Sequence, residues 1–298
     1  MKNFNNIEVY DAENNALFQE KIPSEKLLRF LYNQNSYSSG LLRHLLSKSP
    51  LTSIVFGKIV KMPWTKRFIP NFIKEQGIKM EDFQEKTYKN FNEFFMRHIN
   101  PSKRPLSDDS IIAPCDGRYL FYQDLSEKNS FYFKGQKLSL FHLLNDPHLE
   151  SLFANGSMVI SRLAPPDYHG FHFPADVKLN STKLINGHLF SVSPIALREM
   201  VHVLTENKRM LIDMTSPIHG NILQVVIGAT NVGSILINKE CGKEYKKGEE
   251  LGFFSFGGSM VITLFQNATI TFNSTLLSRT KNNQEVLLKM GNSLISHE

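Results

Sequence analysis

Cysteine is nearly absent from this chain. There are two in 298 residues, Cys115 and Cys241, far apart and without metal-ligand spacing. That argues against a disulfide framework or a cysteine zinc site and fits a reducing, intracellular compartment. Also missing is any apolar run near the roughly 20 residues needed to span a bilayer. Residues 1–20 carry Glu8, Asp11, Glu13 and Glu20, so the start of the chain reads as neither a secretory signal nor a transit peptide. Acidic residues are missing from one long stretch: between Leu41 and Lys74 lie Arg43, Lys48, Lys58, Lys61, Lys66, Arg67 and Lys74, with no Asp or Glu. The single tryptophan, Trp64, falls there among Leu41, Leu45, Ile54, Phe56, Val60, Phe68 and Phe72.

That stretch has two readings. A basic, apolar, partly helical segment suits the anionic face of a membrane; it equally suits a helical layer packed on a core with its lysines solvated. Nucleic acid is excluded as a partner, because the segment is rich in aliphatics and no nucleic-acid motif accompanies it. The overall balance is a modest +6, with 41% hydrophobic and 21% charged residues, enough for a sizeable core.

Residues 7–22 read as a short hairpin, and Ser24 opens a helical pattern through Leu27, Leu28, Phe30 and Leu31. Gly40, Pro50, Pro63 and Pro70 cut the next stretch into short helices. Asn90 with Glu93 has the form of a capping box for a helix showing Phe91, Phe94 and Phe95 on one side. From about Ile111 short alternating runs predict strands at 118–122, 131–133, 158–163, 210–214, 222–227, 234–237, 252–256, 260–265 and 268–272, with short helices near 139–144 and 194–203. The expected fold class is α+β: a mainly antiparallel β catalytic core with short helices, preceded by an N-terminal helical membrane-associating region. The domains would be 1–75 and 76–298.

Three clusters carry candidate chemistry. Asp116 sits in Ala113–Pro–Cys–Asp–Gly117, where Asp-Gly also makes an ordinary turn. His169 and His172 stand in Asp167–Tyr–His–Gly–Phe–His–Phe–Pro174. They could be a metal pair, but no further ligands have the right spacing, so no metal is expected; they could also be a structural pair bonded to backbone. Ser259 follows Gly257 and Gly258, which lack a Cβ and let a hydroxyl approach its own preceding carbonyl. Gly-Gly-Ser is also a common turn. Together Asp, His and Ser supply an orienting carboxylate, a base and a nucleophile. Val261 stands where a hydrolase elbow needs glycine, which argues against the α/β-hydrolase form.

The ordered motifs Phe94–Phe–Met–Arg97, Arg104–Pro105, Pro114–Cys–Asp–Gly117, Lys134–Gly135, Leu138–Ser–Leu140, Asp167–Pro174, Asn186–Val192, Glu206–Arg209, Gly228–Ser234 and Lys247–Gly252 into Phe256–Gly–Gly–Ser259 resemble those of the phosphatidylserine decarboxylases, over most of the chain. The resemblance implies a pyruvoyl-dependent carboxy-lyase that makes phosphatidylethanolamine through a Schiff base on the keto group. It implies a precursor self-cleaved between Gly258 and Ser259, giving a large chain 1–258 and a small chain 259–298 headed by the pyruvoyl group. By the same resemblance Asp116 orients and charges His172, His172 is the base toward Ser259, and His169 serves the decarboxylation step beside the substrate carboxylate. It further implies phosphatidylserine in an anionic membrane as substrate, a homodimer, and peripheral attachment at the cytoplasmic face of a bacterial cell membrane. The membrane reading of residues 41–74 gains from this.

Two positions depart from the family pattern: Met260 stands where threonine is common, and Gly170 where arginine is common. Rival readings are a non-cleaving membrane-bound scaffold of the same fold and a Ser-His-Asp hydrolase. A weaker one is a lipoyl-like carrier hairpin at 232–252, which lacks a carrier lysine.

Overall fold

The computed structural model describes residues 7–22, 25–32, 55, 57–125, 130–133, 136–228, 235–257, 259–266 and 270–295. Fifteen strands organise the described residues. They are β1 (Glu8–Asp11), β2 (Ala16–Gln19), β3 (Gly117–Tyr122), β4 (Ser130–Phe133), β5 (Gln136–Ser139), β6 (Ser157–Leu163), β7 (Gly170–His172), β8 (Val177–Ile185), β9 (Arg209–Ser216), β10 (Gly220–Gly228), β11 (Ile235–Ile237), β12 (Glu244–Tyr245), β13 (Glu250–Phe254), β14 (Ser259–Phe265) and β15 (Glu285–Leu288). Ten form one sheet in the order β12-β8-β9-β10-β14-β6-β3-β15-β1-β2, and β11-β13-β7 form a second. Within the large sheet every pairing is antiparallel except β1 with β15.

Period-two alternation gives the large sheet two apolar faces. Val261, Phe265, Val159, Leu163, Tyr119 and Val226 point to one side, where Phe171, Leu251 and Phe254 of the second sheet close the core. Met260, Ile262, Leu264, Ile160, Leu120 and Val225 point to the other, covered by Leu140, Leu143, Ala196, Leu197 and Leu204 from short helices. The fold is therefore mixed α+β, a large mainly antiparallel sheet with short helices, and no described helix is long and apolar enough to cross a membrane.

The helix Phe91–Phe95 forms where expected: Asn90 Oδ1 accepts from the Glu93 amide at 2.9 Å, and Phe91, Phe94 and Phe95 are buried. The Glu93 carboxylate reaches back one residue further than a capping box would, to the Lys89 amide at 2.7 Å. Other expectations need correction. Of the run 268–272, the described residues 270–272 form no strand, Phe272 making only an isolated bridge to Ile295, and 267–269 lie outside the described residues. Part of the Pro-bounded histidine loop is strand β7, paired with β13. The hairpin β1–β2 forms one edge of the large sheet. Residues 41–54 and Phe56 of the basic stretch, Lys134–Gly135, residues 229–234 and Gly258 lie outside the described residues.

A buried ion network fixes the hairpin. Glu20 bonds Arg162 at 2.6 Å and lies 2.9 Å from Arg118; Arg162 also bonds Glu285 at 2.7 Å, and Arg118 pairs with Asp167. These side chains are nearly inaccessible to water, so each charge needs its partners, and removal of one costs about 3–5 kcal/mol.

Candidate active site

Ser259 is the first residue of β14, opposite Gly228 on β10 and Leu163 on β6. Alternation puts it on the face it shares with Val261 and Phe265, between the two sheets. Its side chain is fully buried, and among the described residues its Oγ has no hydrogen-bond partner. A buried hydroxyl left unpaired costs about 1–3 kcal/mol, which marks the position as one the fold does not need for stability. Gly257, two residues before it, has φ 144°, a backbone conformation that suits glycine. The segment just upstream is held in place: the Phe254 amide donates to His169 O at 3.0 Å, and the Phe256 amide to Asn92 Oδ1 at 3.1 Å.

His172 ends β7 and is 5% exposed. Its Nδ1 lies 2.9 Å from the carbonyl of Gly248 and its Nε2 lies 3.0 Å from the Tyr168 hydroxyl. A carbonyl only accepts, so Nδ1 carries the hydrogen and Nε2 the lone pair. Burial lowers the pKa of His172, against the Gly248 carbonyl and Asp116, which raise it. Burial also lifts the Tyr168 phenol well above its ordinary value, so the phenol is the donor in this contact.

Asp116 is not hydrogen-bonded to His172. Its oxygens accept from Arg104 Nε (3.0 Å) and Nη2 (2.6 Å) and from the Met290 amide (2.8 Å). The carboxylate acts on His172 through its charge alone. The carbonyl of Gly248 does the orienting that a triad assigns to the acid.

His169 is fully buried, with its ring centroid 4.0 Å from that of Phe95, which in turn stands 4.9 Å from Phe256. Nδ1 lies 2.9 Å from the Asp167 carbonyl, and Nε2 has no partner among the described residues. Burial, then the nearby Arg97 cation, push His169 down to about 3. Arg97 itself is 1% exposed and donates to the carbonyls of Pro166 (2.5 Å) and Asp167 (2.8 Å), directly behind this histidine. No carboxylate bonds it; its guanidinium lies over Phe83 (4.3 Å) and Phe94 (4.9 Å).

Arg97 also lines a cavity of about 350 Å³, together with Lys61, Lys86, Asn92, Met96 and His98. Lys86 is paired with Glu93 at 2.7 Å, whereas Lys61 has no ion pair among the described residues. Beyond Lys61, Trp64 and Phe68 are each 45% exposed, with the Arg67 guanidinium 5.0 and 4.9 Å from their rings. No cluster of His, Cys, Asp or Glu suited to a metal ion occurs among the described residues.

The sequence family described as phosphatidylserine decarboxylase matches residues 91–296, which include all four residues of the site. The chain belongs to the phosphatidylserine decarboxylase family. Relatives described as phosphatidylserine decarboxylase proenzymes are similar along nearly their whole length. That of Chlamydia felis is 40% identical over 292 residues, with 97% of each chain covered. Those of Chlamydia trachomatis serovar L2b and Fusobacterium nucleatum are 37% and 34% identical, covering 96% and 97% of each chain. Asp116, His169 and His172 are all buried, and the segment that leads toward Ser259 is tied to His169 by the Phe254 amide. Sequence reasoning assigned no part to Tyr168, Asn92, Arg97 or Arg104. An arginine in the aromatic run Phe94–Phe–Met–Arg97 was the available signal, since a cation among phenylalanines is either paired or functional.

Proposed function

We propose that this chain decarboxylates phosphatidylserine to phosphatidylethanolamine, using a pyruvoyl group that it makes by cutting itself between Gly258 and Ser259. One observation carries the reading: a fully buried Ser259 hydroxyl, unpartnered among the described residues, heads an inner strand two residues after a glycine with φ 144°. These residues fit the group. When present, its ketone supplies the electron sink that loss of carbon dioxide from an amino acid requires.

In maturation Ser259 Oγ loses its proton to His172 Nε2 and adds to the Gly258 carbonyl. The Gly258–Ser259 C–N bond then breaks with the proton passed to the freed amine, and elimination of the resulting ester releases the Gly258 carboxylate before water displaces ammonia. His172 suits that work because burial keeps it neutral with its lone pair on Nε2. In turnover His169 meets the substrate carboxylate. Standing neutral in an apolar pocket, it picks up a proton only when an anion arrives, since a nearby negative charge raises an imidazole pKa. The bound carboxylate thereby creates the acid that delivers a proton after carbon dioxide leaves. Arg97 and Lys61, in the neighbouring cavity, supply cations for the phosphodiester. Trp64 and Phe68, with Arg67 and Lys66, supply the membrane-facing surface of a peripheral protein. A hydrolase is disfavoured, because the fully buried Ser259 hydroxyl is closed to exogenous substrate.

Intact mass after expression tests the proposal. Two chains are expected, the smaller about 17 Da lighter than a serine-headed peptide, the mass of one ammonia. A single chain with an unaltered Ser259 rejects it. Replacing Trp64 and Phe68 together by alanine should weaken sedimentation with anionic vesicles; unchanged binding refutes the membrane-facing assignment.

A further inference from the structure

The base nitrogen of His172 is already occupied. Its lone pair accepts a hydrogen bond from Tyr168, four residues earlier, and Tyr168 is 1% exposed, with its ring edge-to-face on Phe253 at 5.8 Å. The phenol reaches this place only because residue 170 is glycine. A Cβ at 170 would stand 2.1 Å from the Tyr168 hydroxyl oxygen and 2.2 Å from the ring carbon that bears it. Both are far inside contact distance, and a ring so enclosed has little room to yield. An arginine, the residue common at this position in the family, could not be accommodated with Tyr168 where it is. Gly170 and the Tyr168–His172 contact are thus one feature. The Ser259 hydroxyl, which must give its proton to His172, has no partner among the described residues.

We infer that Tyr168 is a positioning residue that holds the His172 lone pair in the uncut chain, through the space left by Gly170, and must let go before Ser259 can transfer its proton. This rests on the self-cleavage reading above. While the contact lasts, Nε2 cannot accept the Ser259 proton; once the phenol swings off, it can. The contact also fixes the imidazole in its neutral form with hydrogen on Nδ1, so Tyr168 sets the base up and delays it at once. The other charged or titratable groups around His172 are Asp116 with its Arg104 partner, Lys239, and Glu250, its strand neighbour paired with His98.

The test uses the full chain, pulse-labelled during cell-free synthesis and chased across pH, with loss of the uncut chain read on a gel. Tyr168→Phe keeps the ring and removes the hydroxyl. It should cut about two- to tenfold faster, the range that one neutral hydrogen bond represents. Its acid limb should move to higher pH, because the lost bond favoured the neutral imidazole. Gly170 has no positive φ to protect, so Gly170→Ala is sterically free to act on Tyr168 alone and should also accelerate cutting. The double variant should be no faster than the faster single variant. An unchanged rate, a slower one, or a faster one with an unmoved acid limb in Tyr168→Phe overturns the inference. A wild-type chain that never cuts rejects the self-cleavage reading instead. In that case NMR titration of His172 in the Ser259→Ala background decides whether the hold exists: Tyr168→Phe must raise its pKa, and no rise overturns it.

Discussion

His169 and His172 stand on one short run of backbone, and each gives its Nδ1 hydrogen to a main-chain carbonyl. Their outer nitrogens differ. That of His172 is capped by a phenol, and that of His169 has no hydrogen-bond partner among the described residues. Both rings are neutral through burial, but His169 is enclosed more completely, its ring tilted against Phe95, and has the Arg97 cation nearby. The contrast separates two kinds of readiness. A capped lone pair belongs to a group used once and kept waiting; a bare one belongs to a group that waits for a ligand to complete it.

The strongest way to break this comparison is to delete each ring. His172→Ala, like Ser259→Ala, should leave the chain uncut and inactive. His169→Ala should still yield two chains while decarboxylation falls about 100- to 10,000-fold, the usual scale of a positioned proton donor. Loss of cutting in His169→Ala would show that the rings share one task. Gel analysis with a carbon dioxide release assay decides.

A smaller effect sharpens it. A buried neutral histidine takes up its proton more readily in the unfolded chain, so stability is full above the unfolded value near 6.5 and falls as pH drops toward the folded value. For His169, pushed down to about 3, the loss should be about 1.4 kcal/mol per pH unit below 6.5. Urea midpoints of uncut Ser259→Ala should therefore fall between pH 6.5 and 4, less steeply once His169 is replaced by glutamine. An equal slope in both would show that His169 is not held neutral.

Smaller still is the influence of Lys239, whose charge lowers the pKa of His172. Lys239→Met should move the acid limb of cutting slightly to higher pH and leave the pH dependence of stability due to His169 in place. A shift to lower pH would contradict the sign.

Much of this architecture was legible because local alternation announces itself. Strands β3, β6, β9, β10 and β14 followed from runs such as Met260–Val–Ile–Thr–Leu–Phe265, in which both faces are buried. Strand β8 was not, since only its first half packs inward and the rest of Val177–Ile185 is mostly exposed, so its sequence looks like a loop. Glu20 read as one more acid in a polar terminus, although it is buried between two arginines more than ninety residues away. The four candidate positions came from motif resemblance, and their geometry did not come with them. Nothing local in Pro-Cys-Asp-Gly says that Asp116 binds Arg104 rather than His172, because that choice depends on how β3, β7 and the segment before Met290 meet.

The place of β14 has a consequence for what the cut produces. It lies inside the sheet with β10 and β6 on its two edges, and β15, from the same fragment, is wedged between β3 and β1. Severing the backbone ahead of residue 259 therefore turns one molecule into an interlocked pair, and parting the pair means dismantling the sheet. Fragments 1–258 and 259–298 made separately should not reassemble, and the order of events is fixed: fold first, break second, with no return.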